Sequence, residues 1–292
     1  MSLRKKVQDL MVHAALAQQV AATWQKAIDL HGEDKATAFY THLGLNHLHQ
    51  SKSVEWEGLQ LSRQPTPHEA LQVKAIAAAQ DSAKERLTNL LLVIRNVLVD
   101  DALAKLAKLS AANYHKLIVT VAFNDWEQLF DAVAVTFNDG RLLIAAQRGI
   151  KADDDDFDDE LDTLTSIATS RLANDVQARI TGAASRFALL GQSGATLIAS
   201  VTGDVRSAST AYVDRIATGL ANRTISFGRS VEAAKFDWQR VEYSSLLDSS
   251  VCGPCLDADG ESSTSEDDLT PAPNPECEGY DNCRCFHVFV QD

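Results

Sequence analysis

Cysteine is absent from the first 251 residues of this 292-residue chain, and proline occurs only six times. With 14 glycines and 7% aromatic residues, the composition excludes collagen-like, proline-rich and wholly disordered chains. Apolar residues make up 45% of the sequence and charged residues 23%, which is typical of globular proteins. The length suffices for one large domain or two smaller ones with a real core.

Long hydrophobic runs are also missing. The most apolar stretch, residues 90–99, is interrupted by Arg95 and Asn96 and is shorter than the ~20 residues that a membrane-spanning helix needs. The first residues are basic and lead into an amphipathic segment, whereas a secretory signal has an apolar core and a small-residue cleavage site. We therefore expect a soluble protein that stays where it is made and has no membrane partner.

Basic residues are scarce in the second half of the chain. Residues 1–150 hold 16 of the 27 basic and 15 of the 40 acidic residues, which leaves 11 basic and 25 acidic residues for 151–292. The net charge of −13 therefore comes from the second half, and a field of this sign repels phosphate backbones. We expect any contact with DNA in the first half, where Arg4, Lys5 and Lys6 open the sequence.

Apolar residues recur at helical spacing along most of the chain, which predicts a mainly α fold made of long helices. The predicted helices cover residues 3–30, 34–49, 68–99, 101–112, 161–190 and 205–235. We expect them to be separated by a linker at 51–68, a break at Asp100-Asp101 and a glycine-containing turn at 191–203.

Residues 113–150 fit two patterns. Residues 117–123 are rich in β-branched side chains, and Asn138-Asp139-Gly140 could close a hairpin. The apolar residues from Trp126 onward also fit a long helix with one tolerated glycine, and we favour that helix. The acidic run at 153–162 is interpreted as a solvated loop that leads into the next helix, where carboxylates meet the positive end of the helix dipole, with a cation site as the alternative.

The helical spacing of apolar residues ends after Trp238. Residues 241–247 and 285–290 are typical of strands, and residues 257–275 form an acidic loop rich in serine, threonine and proline. We therefore predict long helices followed by a small C-terminal α+β module that its cysteines clip together.

The five cysteines form a C-x2-C and a C-x-C pair, 27 residues apart, with Cys277 between them. A C-x2-C turn presents two thiolates to one ion, and a C-x-C in a strand places both side chains on one face. Four sulfurs at about 2.3 Å suit tetrahedral Zn²⁺. We therefore predict Cys252, Cys255, Cys283 and Cys285 as metal ligands, with reduced thiols or a disulfide as the alternatives. Cys277 either replaces one ligand or is a spare thiol.

Cys252-Gly253-Pro254-Cys255 is also the thioredoxin active-site tetrapeptide. That chemistry needs a helix after the motif, whose N-terminus lowers the pKa of the first thiol. The sequence that follows is acidic and predicts a loop, and acidic neighbours raise a thiol pKa. We therefore do not expect an oxidoreductase.

The C-terminal motifs resemble the phage Mu F-like head morphogenesis, or minor capsid, proteins. That family has a Gly-Arg near a helix end, an aromatic-containing strand, an Asp before C-x2-C, a Gly after it and a closing Cys-Arg-Cys. The sequence carries these features at Gly228-Arg229, Trp238, Tyr243, Asp248, Cys252, Cys255, Gly260 and Cys283-Arg284-Cys285. The resemblance covers residues 205–290, and residues 124–190 look like the family's upstream helices. The His-Pro pair usual before Cys-Arg-Cys is replaced by Tyr280-Asp281-Asn282.

We divide the chain into an N-terminal helical region at 1–120, which carries no motif of the family, a central helical region at 121–204 and, as the resemblance implies, a Mu F-like domain at 205–292. The resemblance also implies a structural protein of a tailed-phage head that contacts the portal protein during procapsid assembly. The major capsid or scaffolding protein would be a further partner, and a role with packaged DNA or its ejection would follow. The protein would be made in the host cytoplasm and carried into the virion, in the capsid interior or at the portal vertex.

We expect no enzymatic activity, because the sequence has no phosphate loop, HExxH motif or dinucleotide fingerprint. Ser193 lacks the spacing of a nucleophile elbow and is assigned to a turn between helices. His42, His47 and His49 are interpreted as surface or interface residues. The alternative function is a capsid maturation protease encoded beside the portal gene, which would need a nucleophile and base that we do not find.

Overall fold

The computed structural model describes residues 54–152, 157–208, 210–247 and 251–291, without the side chain of Tyr280. The predicted helices at 3–30 and 34–49, the three histidines, residues 153–156 of the acidic run and Asp248 lie outside the described residues. Among the helices of the described residues, none combines the length and apolarity that crossing a bilayer requires.

Helices dominate the fold and are followed by a small C-terminal sheet, which confirms the mainly α prediction. The helices are α1 Pro67–Leu106, α2 Phe123–Arg148, α3 Asp158–Leu189, α4 Gly194–Ser207, α5 Ala211–Ala233 and the short α6 Gly253–Ala258. The strands are β1 Val54–Trp56, β2 Leu59–Leu61, β3 Arg240–Ser244, β4 Ser262–Ser263 and β5 Phe286–Val290. Short 3-10 helices cover Ala111–Lys116, Glu266–Asp268 and Tyr280–Asn282.

Helix α1 starts with a capping box. The Thr66 hydroxyl accepts from the backbone N–H of Glu69, and the Glu69 carboxylate accepts from the N–H of Thr66. The predicted break at Asp100-Asp101 is wrong, because α1 continues to Leu106. Aspartate costs a helix far less than glycine or proline does, and Asp101 forms an i,i+4 ion pair with Lys105.

Two other predicted irregular segments contain regular structure. The linker at 51–68 includes a β1–β2 hairpin, whose turn uses Glu57 and Gly58 at φ of 48° and 87°. The turn predicted at 191–203 ends at Ser193, and α4 then runs through Gly203. A glycine inside a helix costs only about 1 kcal/mol, which burial of Leu197, Val201 and Val205 offsets.

Residues 113–150 divide into two parts. Helix α2 runs without interruption from Phe123, so Asn138-Asp139-Gly140 does not close a hairpin and the helical prediction is confirmed there. Residues 117–122 are extended and carry alternating buried and exposed side chains. The predicted helix at 101–112 accordingly ends early, at Leu106, and the 3-10 helix Ala111–Lys116 follows.

One core cluster draws side chains from α1 to α5. The division of the chain into regions 1–120, 121–204 and 205–292 stays a prediction. Residues of all three regions contribute side chains to this core cluster. The sheet has the order β4-β3-β5 and is antiparallel. All five side chains of β5 are buried. The carbonyl of Phe289 accepts from both Gln72 and Gln147, at 2.8 Å each, so side chains of α1 and α2 bond the backbone of this strand.

Candidate metal centre

Two chain segments bring the five cysteines together. Cys252 is the N-cap residue of α6, and Cys255 lies inside that helix. Cys277, Cys283 and Cys285 lie in the irregular segment that leads into β5. Asn274 donates from Nδ2 to the Pro254 carbonyl at 3.2 Å and holds the two segments side by side.

The sulfur atoms form two triads that share Cys255. In each triad, Cys252–Cys255–Cys277 and Cys255–Cys283–Cys285, the Sγ atoms all lie within 4.8 Å of one another. The Sγ atoms of Cys252 and Cys277 are 3.5 Å apart, and those of Cys255 and Cys283 are 3.8 Å apart. No disulfide joins these five described cysteines.

These spacings fit a tetrahedral metal site. Four sulfurs at about 2.3 Å from one ion lie about 3.8 Å from one another, close to both measured distances. The four ligands predicted from the sequence belong to two different triads, so binding one ion requires a small closure of the sulfur positions. Cys277, whose role the sequence left open, lies inside the cluster beside Cys252. The cluster therefore offers five sulfurs for four coordination positions.

The surroundings of the cluster are apolar. Four of the five cysteines are buried, and their neighbours are Tyr243, Val251, Ala258 and Ala272. Hydrogen bonding to Cys252 and then to the other cysteines raises the pKa of the Cys255 thiol. Hydrogen bonding to Cys252 lowers the pKa of Cys277. Among these neighbours there is no basic side chain, so a metal ion would supply the positive charge that buried thiolates need.

Two local predictions about the cysteines are wrong. A short helix, α6, follows Cys252 where we expected a loop, so the argument against thioredoxin-like chemistry loses that premise. The pKa of Cys255 is nevertheless raised, which opposes a reactive thiolate at that position. Cys283 and Cys285 precede β5 and do not lie within a strand, so strand alternation does not bring them together.

Contacts with the helices place the second cysteine segment. Asp281 accepts from both terminal nitrogens of Arg171 in α3, with Nη1 at 2.7 Å. Asn222 in α5 donates from Nδ2 to the carbonyl of Cys283 at 2.7 Å. A Cβ at Gly219 would lie 2.6 Å from Asp281 Oδ1, so this glycine makes room for the carboxylate. Neither the Arg171–Asp281 pair nor the role of Gly219 carries a local signal in the sequence.

Two serines are candidates for the nucleophile that a protease would need, Ser193 and Ser230. Ser193 is the N-cap residue of α4, in a turn between helices as predicted. Ser230, Glu266 and His287 meet at a cavity of about 780 Å³. The Ser230 hydroxyl donates to Glu266, and His287 uses Nδ1 toward Glu266 at 2.6 Å and Nε2 toward the Thr270 carbonyl at 2.8 Å.

This trio is not a Ser-His-acid triad. A carbonyl only accepts, so the Nε2 of His287 carries a proton and cannot take one from serine. Burial by itself would raise the pKa of Glu266, but the hydrogen bonds from His287 and Ser230, together with the charges of His287 and Arg229, outweigh burial and lower the pKa of that carboxyl. Among the described residues, this arrangement supports a buried structural network.

Comparisons of the chain with protein-family models, with curated proteins and with solved structures find no match in any of the three. The Mu F-like resemblance therefore rests on the motifs between Gly228 and Cys285.

Proposed function

We propose that this protein is a non-enzymatic minor capsid protein of a tailed-phage head, similar to the Mu F-like head morphogenesis proteins. It would associate with the portal protein during procapsid assembly, contact the major capsid or scaffolding protein, and travel in the virion at the capsid interior or portal vertex. The observation that supports this is the cluster of all five cysteines of the sequence between α6 and the segment before β5.

We further propose that the cluster binds one Zn²⁺ ion. Buried thiolates favour soft metals, and a fully thiolate, closed tetrahedral set is typical of structural zinc. Cys255 belongs to both triads and would be a ligand in any set of four. The ion would tie α6 to the last strand across 27 intervening residues, so its binding free energy would add to the stability of the module.

Metal analysis of protein purified under reducing conditions tests the zinc proposal. We expect about one zinc per chain, retained after dialysis and released by a strong chelator with loss of thermal stability. Cys255→Ser should abolish zinc binding. Of the four other single Cys→Ser variants, one should keep the metal, because only four of the five sulfurs can bind at once; these variants are Cys252→Ser, Cys277→Ser, Cys283→Ser and Cys285→Ser. Wild-type protein that binds no zinc, or Cys255→Ser protein that binds it fully, would contradict the proposal.

Co-expression with the neighbouring portal protein tests the assembly role. We expect the two proteins to co-purify and the chain to be incorporated into heads, and we expect Cys252→Ser with Cys255→Ser to reduce incorporation. A Leu256→Ser variant, altered at the exposed position directly after Cys255, is the matched control. Absence of co-purification and of incorporation would refute the assembly role without affecting the zinc test.

The protease alternative is separated by co-expression with the major capsid protein. Mass spectrometry of the capsid protein's N-terminus should show no processing that depends on this chain. Processing that Ser230→Ala abolishes would establish the alternative and refute the non-enzymatic assignment.

A further inference from the structure

A second site involves Arg229 of α5 and contains none of the five cysteines. A cavity of about 260 Å³ opens between α1 and α2, and Arg229 lines it together with the amide side chains of Gln72 and Gln147 and with apolar side chains of both helices. Ile76 and Ile144 are buried in its walls, whereas Ala75 and Ala146 are exposed at its rim. The volume is just below the ~300 Å³ at which pockets for drug-sized ligands begin, so the cavity suits a small molecule or a single terminal residue.

Arg229 is 2% exposed and is incompletely bonded. Its Nη2 donates to the His287 carbonyl at 2.7 Å and to Gln72 Oε1 at 3.2 Å, while Nε is buried without a hydrogen-bond partner among the described residues. A guanidinium has five N–H donors, so most of its capacity is unused. The aromatic faces of Phe286 and Phe289, 5.8 and 5.4 Å away, compensate part of its charge.

No carboxylate of the described residues forms an ion pair with Arg229. The carboxylate that acts on it at longer range, Glu266, is already bonded to His287 and Ser230. Burial lowers the pKa of Arg229 to about 10, so the guanidinium is still protonated at neutral pH. A buried cation without a counter-ion is costly, and the open cavity beside it offers the place where an anion can bind.

We propose that this cavity binds a carboxylate attached to a short apolar group, with the carboxylate paired to Arg229 and the apolar group between α1 and α2. Planar carboxylates match the guanidinium fork, and the apolar walls select against strongly hydrated anions. The ligand is either a free short-chain acid or the C-terminal residue of an apolar peptide. This inference does not depend on the proposed capsid function.

Titration of the full chain with hexanoate tests the site, with 1-hexanol and hexylammonium as neutral and cationic probes of the same shape. We expect hexanoate to bind at least about tenfold tighter than hexanol, since a hydrogen bond between two charged groups is stronger than one to a neutral hydroxyl. Ala75→Trp and Ala146→Trp fill the exposed rim without touching the core and should abolish binding. Ala78→Trp, one turn along α1 and also exposed, should bind like wild type.

Equal affinity for hexanoate and hexanol, binding that survives Ala75→Trp, or no binding by the wild-type chain would each overturn the proposal. Arg229→Gln should remove the preference for the carboxylate, and the rim variants keep the test valid if that variant does not fold. A leucine-ending peptide, compared with its C-terminal amide, distinguishes the two ligand sources. Tighter binding of the free-acid peptide than of hexanoate identifies a chain terminus, and the reverse identifies a small acid.

Discussion

Gly140 and Gly228 bring the backbones of α2 and α5 together. A Cβ on Gly140 would lie 2.3 Å from the carbonyl oxygen of Ile225, and a Cβ on Gly228 would lie 2.1 Å from that of Phe137. Both distances are far below van der Waals contact and involve backbone atoms, which cannot move aside as a flexible side chain can. The Gly-Arg pair singled out in the sequence thus has a packing reason for its glycine.

We predict that Gly228→Ala destabilises the protein by about 2–3 kcal/mol or more, because the two helices must separate to admit one methyl group. Urea denaturation monitored by circular dichroism would measure the change. Gly182→Ala is the matched control, since Gly182 lies in an exposed part of α3 with nothing within 4 Å of its Cβ position. That change should stabilise by about 0.5–1 kcal/mol. An equal effect of both substitutions would contradict this account of the contact.

Glu69 joins α1 to the C-terminal module. Its carboxylate accepts from Arg63 at 2.8 Å and from the Ser244 hydroxyl at 2.6 Å. Arg63 also pairs with Asp259, at 2.8 Å. Burial by itself would raise the pKa of Glu69, but the hydrogen bonds from Arg63, Ser244 and Thr66 outweigh burial and lower it.

Because the pKa of Glu69 is lower in the folded protein than in the unfolded chain, the contribution of Glu69 to the free energy of unfolding decreases in acidic solution. Glu69 contributes stability above its unfolded pKa, about 4.3, and loses that contribution as the pH falls through its lower folded pKa. We predict that Glu69→Gln costs about 1–3 kcal/mol at pH 7 and that the difference from wild type shrinks in more acidic solution. Denaturant titrations at several pH values would show this. Glu85→Gln, at an exposed α1 position, should have little effect at any of these pH values.

The 3-10 helix Tyr280–Asn282 attaches the second cysteine segment to the helices. Asp281 is 5% exposed and pairs with Arg171, and Arg223 lies 3.8 Å away. We predict that Asp281→Asn costs about 1–3 kcal/mol and speeds amide hydrogen exchange between Cys277 and Cys285. Asp257→Asn, at an exposed position of α6, is the control. Unchanged exchange in the Asp281 variant would show that the segment is held by other contacts.

Periodicity predicted the helices whose apolar residues face the core. The predicted helix at 161–190 corresponds to α3, and that at 205–235 includes α5. The helix breaks predicted at Asp100-Asp101 and within 191–203 are wrong because tertiary contacts there outweigh the low average helix propensity of aspartate and glycine. Asp100 pairs with Arg206, and Gly203 lies in a helix that tertiary packing stabilises. Local sequence cannot reveal such partners, because they come from distant parts of the chain.

The cysteine cluster could be predicted in outline but not in detail. Thiol spacing indicated that Cys255 and Cys283 would approach each other, as they do. The position of Cys277 depends on how the loop after α6 folds back, for which spacing gives no information. Arg229 was noted only as part of a family motif, since its burial becomes evident only when α1, α2 and β5 are assembled around it.

At the scale of the whole molecule, the helices and the C-terminal module share core residues. One cluster combines Leu61 of the hairpin, Val73 and Ile76 of α1, and Phe286 and Val288 of β5. Trp126 lies on α2 and belongs to the helical part. Trp238 belongs to the C-terminal module, where its ring packs against Phe289 of β5 with the centroids 5.1 Å apart. Neither part can lose its structure without exposing apolar surface of the other.

We therefore predict a single cooperative unfolding transition. Two variants, each keeping one of Trp126 and Trp238 and replacing the other tryptophans with phenylalanine, would report on the helices and the module separately. Their fluorescence midpoints in urea should coincide with each other and with the circular dichroism midpoint. A module transition that clearly precedes the helical one would show two independent units.

The position of β5 in the sequence determines when the core of the protein can be completed during synthesis. It is translated after every described α-helix, yet its side chains pack against α1 and α2, and its Phe289 carbonyl accepts from both Gln72 and Gln147. While the ribosome is still making residues 286–290, those helices have an uncovered apolar seam. The helical core is consequently completed only after residues 286–290 have left the ribosome, and until then the nascent chain exposes apolar side chains of these helices.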